Sequence, residues 1–376
     1  MKVLYFVSTL ERCGPVNVIY NIINNMDREN FEPIILTFSE EKVNSRKEEF
    51  EALDVKVFTL DIDGMMGAFT KKKYIRSVLA ELDPDVIHSH GIRADIFSAV
   101  YLSNYYTVST IHNYPYEDYV LAYKKILGTV MAITNSWSFK KIKEPIACSY
   151  SVSKKIKEKT KKEYEVIQNG IDTNVFNYTT TEEKMKKRNM LGISQEKKVF
   201  LYLGALIPRK NPLMVIDAFK SINKNEDNVL LIVGDGNLYE ECKEYINGDN
   251  NIKLVGKVNN PIDYYKASDF YVASSYSEGL PMAVMEALST GLPVILSDID
   301  SHREVLSVDK TAGFLFSTGD YKDLARKMQD TITKNYTDMS LAASNIIINY
   351  LSAEIMTEKY QRIYQKNTNY NNKKGE

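Results

Sequence analysis

Short β-rich runs alternate with helical stretches along almost the whole chain, and this alternation limits the possible folds more than any other feature. Lys2–Ser8 (KVLYFVS), Glu32–Phe38 (EPIILTF), Val55–Leu60 (VKVFTL), Pro84–His90 (PDVIHSH) and Tyr106–His112 (YTVSTIH) are rich in branched and aromatic residues, as strands are. Val16–Met26, Lys71–Leu82 and Ala94–Ser103 read as helices between them. Apolar strands separated by helices predict a parallel sheet covered on both faces. A polar segment, Asn177–Lys198, interrupts the pattern, which then restarts with KVFLYLG, a helix from Pro212, NVLLIVG, NIKLVG, DFYVASS and PVILS. A length of 376 residues suits two domains. The expected fold class is therefore α/β, with two Rossmann-like doubly wound parallel-sheet domains facing across a cleft, bounded as 1–172 and 173–350. A last amphipathic helix, about 351–367, is expected to return to the first domain, followed by a disordered tail from Lys366.

Composition removes several function classes. Lys+Arg 48 against Asp+Glu 49 leaves no basic field for bulk nucleic-acid binding. Cys13, Cys148 and Cys242 lack metal or disulfide spacing and fit a reducing compartment. The apolar run ILGTVMAIT is about half of what spans a bilayer. The first residues read as a strand rather than a signal peptide, so a cytoplasmic location is expected.

Ligands in doubly wound folds bind beyond the carboxyl ends of the strands, so residues there become candidates. Arg209 and Lys210 follow KVFLYLG and precede a helix, a placement that suits a diphosphate. Gly234, in the turn VGDGNL, follows another strand, but GDG is not a G-x-G-x-x-G fingerprint. Gly14 and Pro15 open a helix after the first strand. In SEGLPMAVMEALSTGLPV a helix is expected from about Leu280–Pro281 to Gly291, with Glu278 at its mouth and Glu286 inside it. Alone, Glu278 reads equally well as a partner of the helix dipole and Glu286 as a solvated helix residue. His88 and His90 share one strand face, and His112 could join them. No further ligand motif completes a metal set, so no metal or other cofactor is expected and His112 reads better as a polar contact to a ligand. The triplets Asp61/Asp63 and Asp298/Asp300 are a common pattern.

The order of these pieces resembles the retaining glycosyltransferases of family four, whose fold is GT-B. RK after FLYLG, then VGDGNL, LVGKV and the E-x7-E of SEGLPMAVMEALSTGLPV carry the resemblance, together with the interdomain VIQNGIDTNVF. It extends along the chain and is most specific from Val166 to Glu304. It implies a nucleotide-sugar donor, UDP-linked in the favoured reading, with Glu278 against the sugar hydroxyls and Glu286 on the ribose. It further implies the amides of Gly279, Leu280, Pro281 and Met282 toward sugar and diphosphate (Pro281 itself has no N–H), and Arg209 and Lys210 on the diphosphate. Val255, Lys257 and Val258 would lie against the base, His112 near the reacting sugar and Gly14 beside the phosphates. Two departures stand out. The family's Gly-Gly loop is Cys13-Gly14-Pro15 here, and the Gly pair after PVILS is replaced by Asp300-Ser301-His302, although Glu304 remains. Other GT-B enzymes, such as an epimerase or a phosphorylase, and a non-catalytic sugar-nucleotide-binding subunit are the alternatives.

The acceptor is expected on the first domain. Leu121–Lys162 is rich in Lys, with Trp137 and Phe139 among them and only Glu144 and Glu158 as acids. Basic residues interleaved with aromatics suit an anionic membrane surface. The expectation is a glycan or lipid-linked acceptor for a cell-surface polysaccharide or capsule, with the enzyme peripheral on the inner face of the membrane.

Overall fold

The computed structural model describes residues 1–223 and 226–372. The chain divides into two compact units. One comprises 1–170 with the C-terminal helix from Ala353, and the other is Ile171–Ser352.

The first unit holds strands β1 (Lys2–Val7), β2 (Glu32–Thr37), β3 (Lys56–Thr59), β4 (Val86–His90), β5 (Tyr106–Ile111), β6 (Glu144–Ala147) and β7 (Glu165–Val166). They form one sheet in the order β3-β2-β1-β4-β5-β6-β7, and every pairing is parallel. All residues of β4 and β5 are buried, as expected for strands covered on both faces, although His88, Ser89 and His90 of β4 and Thr107, Ser109 and Thr110 of β5 are polar. The order reverses between β1 and β4, and Gly14, His90 and His112 lie at or just past the carboxyl ends of β1, β4 and β5.

The second unit holds β8 (Lys198–Leu203), β9 (Asn228–Val233), β10 (Ile252–Gly256), β11 (Phe270–Ala273), β12 (Val294–Ser297) and β13 (Gly313–Phe316). Their order is β10-β9-β8-β11-β12-β13, again parallel throughout. Here the order reverses between β8 and β11. Phe200, Leu230, Ile232, Phe270 and Val272 lead the core that seats the helices on this sheet.

The C-terminal helix, Ala353–Asn372, belongs to the first unit. Thr357 Oγ1 donates to the Ile22 carbonyl, and Gln361 Oε1 accepts from the Asp27 amide. The expectation of disorder from Lys366 is corrected for 366–372, which is helical. Lys366 pairs with Glu165 at 3.0 Å, and Asn367 Nδ2 donates to the Asp85 carbonyl at 2.8 Å, so the last turns are tied to the sheet. Residues 373–376 of that tail lie outside the described residues.

The Lys-rich segment Leu121–Lys162 is not a single element. It contains the end of the helix Pro115–Tyr123, the helix Lys125–Phe139, strand β6 and the helix Tyr150–Thr160. Phe139 is buried and belongs to the core.

Candidate active site

In the second unit, the loops leaving β8 and β11 run side by side because those strands are neighbours. After β8 the chain makes a single turn, Pro208–Lys210, closed by Asn211 at φ 49°. The Tyr276 amide, beyond β11, donates to the Arg209 carbonyl at 2.8 Å. Ser274 Oγ lies 2.8 Å from the Lys210 carbonyl. These bonds fix the backbone that carries the two cations beside the backbone that carries Glu278.

The side chains then converge. Arg209 Nη1 lies 3.1 Å from Glu278 Oε2 and Lys210 Nζ 3.0 Å from Glu278 Oε1. Ser275 Oγ donates to Oε1 at 2.8 Å. The Glu278 side chain is 9 % exposed. Burial alone would raise its pKa, but Lys210 and Arg209, helped by Ser275, reverse that and hold the carboxyl at about 2. The cluster is thus two positive charges on one negative, a net positive site at the carboxyl ends of two adjacent strands. The helix Met282–Ser289 starts just beyond, with Pro281 as its extended N-cap rather than its first helical residue.

Glu286 lies inside that helix and is buried rather than solvated. The buried Tyr265 hydroxyl donates to Glu286 Oε2 at 2.8 Å. Tyr265 resists ionisation because of burial first and the Glu286 charge second, so it stays a donor that fixes the carboxylate.

A small cleft beside the cluster is lined by Lys210, Ser275, Glu278, Pro281, Val284 and His302. His302 is fully buried, and its Nδ1–H donates to the Ser297 carbonyl at 2.8 Å. That bond leaves Nε2 as the acceptor, and among the described residues Nε2 has no hydrogen-bond partner. Burial lowers the ring to about 4, so it is neutral near pH 7.

The other candidates take distinct positions. Gly234, at φ 141°, follows β9, and a Cβ there would lie 1.9 Å from the Gly204 carbonyl oxygen, so the glycine is required by two strand ends in close approach. Val255 lies in β10, with Lys257 and Val258 just past it. They are two strands over from β8, roughly 10 Å sideways. Asp298 and Asp300 are both engaged by Arg303. Among the described residues no cluster of His, Cys, Asp and Glu could hold a metal ion.

In the first unit Gly14 is the first residue of the helix Gly14–Asn24. His112 Nε2 lies 2.9 Å from His90 Nδ1, and burial lowers His112 to about 3. His88 uses both ring nitrogens, on the Tyr364 and Thr110 hydroxyls, each at 2.8 Å. The three histidines do come together as a neutral group, with His90 in tilted ring contact with both His88 and His112.

Sequence reasoning missed Tyr265 and Ser275 and left His302 without a role. Ser275, two residues past a strand end and three before Glu278, could have been found from placement alone. Nothing local marks Tyr265, since its contact with Glu286 is made by packing.

Comparison with known proteins gives these features a family. The model of Glycosyltransferase Family 4 matches residues 13–175, and that of Glycosyl transferases group 1 matches residues 183–346. The chain is 30% identical over 295 residues to the Escherichia coli UDP-Gal:alpha-D-GlcNAc-diphosphoundecaprenol alpha-1,3-galactosyltransferase, covering 74% of this chain and 75% of that one. It is 27% identical to the capsular polysaccharide biosynthesis glycosyltransferase CapH of Staphylococcus aureus, over 84% of this chain and 86% of that one. The crystal structure of Anabaena HepE in complex with UDP superposes with a TM-score of 0.82 at 18% identity, covering 97% of this chain and 100% of that one, which shows the fold. The chain belongs to glycosyltransferase family four and is a glycosyltransferase with the GT-B fold.

Proposed function

We propose that this glycosyltransferase moves a hexose from a UDP-linked donor to a lipid-linked glycan in the assembly of a cell-surface polysaccharide, with retention at the anomeric carbon. The observation that carries the donor half is the placement of Arg209 and Lys210 around Glu278 at the switch point of the second sheet. Two cations there suit a diphosphate leaving group, whose charge grows as the sugar–phosphate bond breaks. Glu278, ionised throughout the neutral range, can accept hydrogen bonds from sugar hydroxyls. Glu286, fixed by Tyr265, is assigned the ribose hydroxyls. The backbone of Gly279 to Met282 is assigned the sugar and diphosphate, and that of Val255 to Val258 the base. His112 and Gly14 are assigned the roles that the family resemblance implies, near the reacting sugar and the phosphates.

The chemistry follows from these charges. The bond from C1 to the diphosphate oxygen breaks with its electron pair going to UDP. The acceptor oxygen bonds to C1 on the same face, and its proton passes to the departing phosphate oxygen. The protein positions the donor and neutralises the leaving group, and this route uses no protein nucleophile.

The acceptor half is supported by the Escherichia coli relative, whose name specifies a diphosphoundecaprenol-linked acceptor, and by the capsule-building Staphylococcus aureus relative. Among the described residues no helix is long and apolar enough to cross a membrane. A peripheral position on the inner face of the membrane is the location proposed. Hydrolysis measured over a panel of nucleotide sugars tests the donor. UDP-hexoses should be the ones cleaved, and cleavage confined to another nucleotide would reject the reading.

A further inference from the structure

The helix Lys125–Phe139 is built inside out. Its buried residues are Gly128, Ala132, Asn135, Ser136, Ser138 and Phe139, mostly small or polar. Apart from Lys125, its exposed residues are all apolar: Ile126, Leu127, Val130, Ile133 and Trp137. Ile126 is 84% exposed and Trp137 42%. At 100° per residue, Ile126, Val130, Ile133 and Trp137 fall within an arc of roughly 60° and form a stripe about 16 Å long. Leu121 and Tyr123, on the preceding helix, are exposed as well.

Burial of the polar side is specific. Asn135 Nδ2 lies 3.3 Å from the buried Asp95 carboxylate, and Asn135 Oδ1 accepts from the Tyr119 hydroxyl at 2.9 Å. Gly128 lets the preceding helix come close, since a Cβ there would lie 2.3 Å from the Tyr119 carbonyl oxygen. The helix is therefore held with its polar side inward, and the apolar stripe faces out because the inward side is already satisfied.

Charge decides what covers the stripe. Lys124 and Lys125 flank one end and Lys140 and Lys141 the other, all exposed. From Val120 to Lys143 there is no Asp or Glu. A second copy of the chain, paired about a two-fold axis on this face, would set one lysine pair against another of like charge. A bilayer with anionic head groups takes both features at once, with the apolar stripe among the upper acyl chains and the lysines at the phosphates. We propose that the helix Lys125–Phe139 lies in the plane of an anionic lipid surface and docks the first unit there through Ile126, Val130, Ile133 and Trp137. This deepens the lipid-linked acceptor reading and rests on it only for its purpose, which is to hold the enzyme where such an acceptor resides.

The chain has a single tryptophan, and it sits on the stripe, so its own fluorescence reports the contact. Phosphatidylglycerol-containing vesicles should shift Trp137 emission to the blue. Lipids brominated in the upper acyl chain should quench it, and phosphatidylcholine vesicles should do neither. The triple variant Ile126→Ser, Val130→Ser, Ile133→Ser should lose the shift while keeping its circular dichroism. Replacing Lys124, Lys125, Lys140 and Lys141 by Gln should weaken binding about tenfold or more at low salt and flatten its dependence on salt. Unchanged Trp137 emission on anionic vesicles at low salt overturns the proposal. So does a dimer that the triple variant dissociates, which would give the stripe to a second copy. UDP binding measured without vesicles is scored separately: intact UDP binding with no Trp137 response sinks the docking alone, and the reverse sinks the donor assignment alone.

Discussion

Lys210 Nζ lies 3.0 Å from Glu278 Oε1, although 68 residues separate the two. Adjacency of β8 and β11 brings them together. With Arg209 on the other carboxylate oxygen, the arrangement gives both cations a part in leaving-group stabilisation. Arg209→Ala and Lys210→Ala should each lower donor turnover by roughly a hundredfold, as expected when leaving-group stabilisation is lost. Each variant leaves Glu278 with one cationic partner, so the fold should survive. Single-turnover kinetics with a UDP-hexose check this, and near-normal rates in both variants would remove the two cations from the mechanism.

Tyr265 donates to Glu286 at 2.8 Å in a buried setting. Tyr265→Phe keeps the ring and deletes the donor, so Glu286 keeps its charge but loses the contact that orients it. If Glu286 holds the ribose, the variant should weaken free UDP by about tenfold, in line with the loss of one hydrogen bond to a charged group. Glu278→Gln should leave free UDP bound and weaken only the intact donor. Calorimetry with UDP and with a UDP-hexose separates the two. Equal losses of UDP in Glu278→Gln and Tyr265→Phe would void this division.

His302 lines the cleft with Glu278 and Lys210, and among the described residues its buried Nε2 has no hydrogen-bond partner. An acceptor with a fixed tautomer suits a donor sugar hydroxyl. His302→Phe should therefore raise KM for the intact donor by roughly tenfold, the scale of one hydrogen bond to a neutral acceptor, with free UDP unaffected. If comparing hexoses that differ at one hydroxyl shows the same penalty for all of them, His302 is a packing residue.

Strands β1, β2, β8 and β9 were legible as apolar runs because both faces of each sheet are covered, whereas β4 and β5, half polar, were legible from their branched and aromatic residues. Strand β6 was hidden: Glu144-Pro145-Ile146-Ala147 is four residues long and sits among lysines. Before it, Trp137 and Phe139 were grouped together as aromatics among lysines, but two residues apart on a helix they point to roughly opposite sides. One is exposed and the other buried. Arg209, Lys210 and Glu278 could each be named from their place after a strand. Their mutual contact could not, because it depends on which strands are neighbours, and sequence order puts β9 and β10 between them.

All four histidines of the chain, His88, His90, His112 and His302, are shifted downward by burial. A histidine with a lowered folded value is neutral in the native state while its unfolded counterpart takes up a proton near pH 6.5. The unfolded chain then binds more protons, so stability is present above that pH and is lost as pH falls, by up to about 1.4 kcal/mol per pH unit for each group. For His302 the loss continues down to its folded value of about 4. Asp95 works the other way. Burial raises it to about 6, against hydrogen bonds from Ser109, Ser89 and Asn135, so its contribution is greatest when protonated and falls as pH rises from about 4 to 6. Three of the histidines lie in the first unit and one in the second. Denaturant unfolding followed between pH 7 and 5 should show steep loss of stability on acidification, borne mainly by the first unit, where Trp137 reports. Asp95→Asn should steepen that loss between pH 6 and 5 by removing the opposing group. A first-unit stability that is flat between pH 7 and 5 would mean that the three histidines take up protons in the folded chain, and the neutral cluster would be wrong.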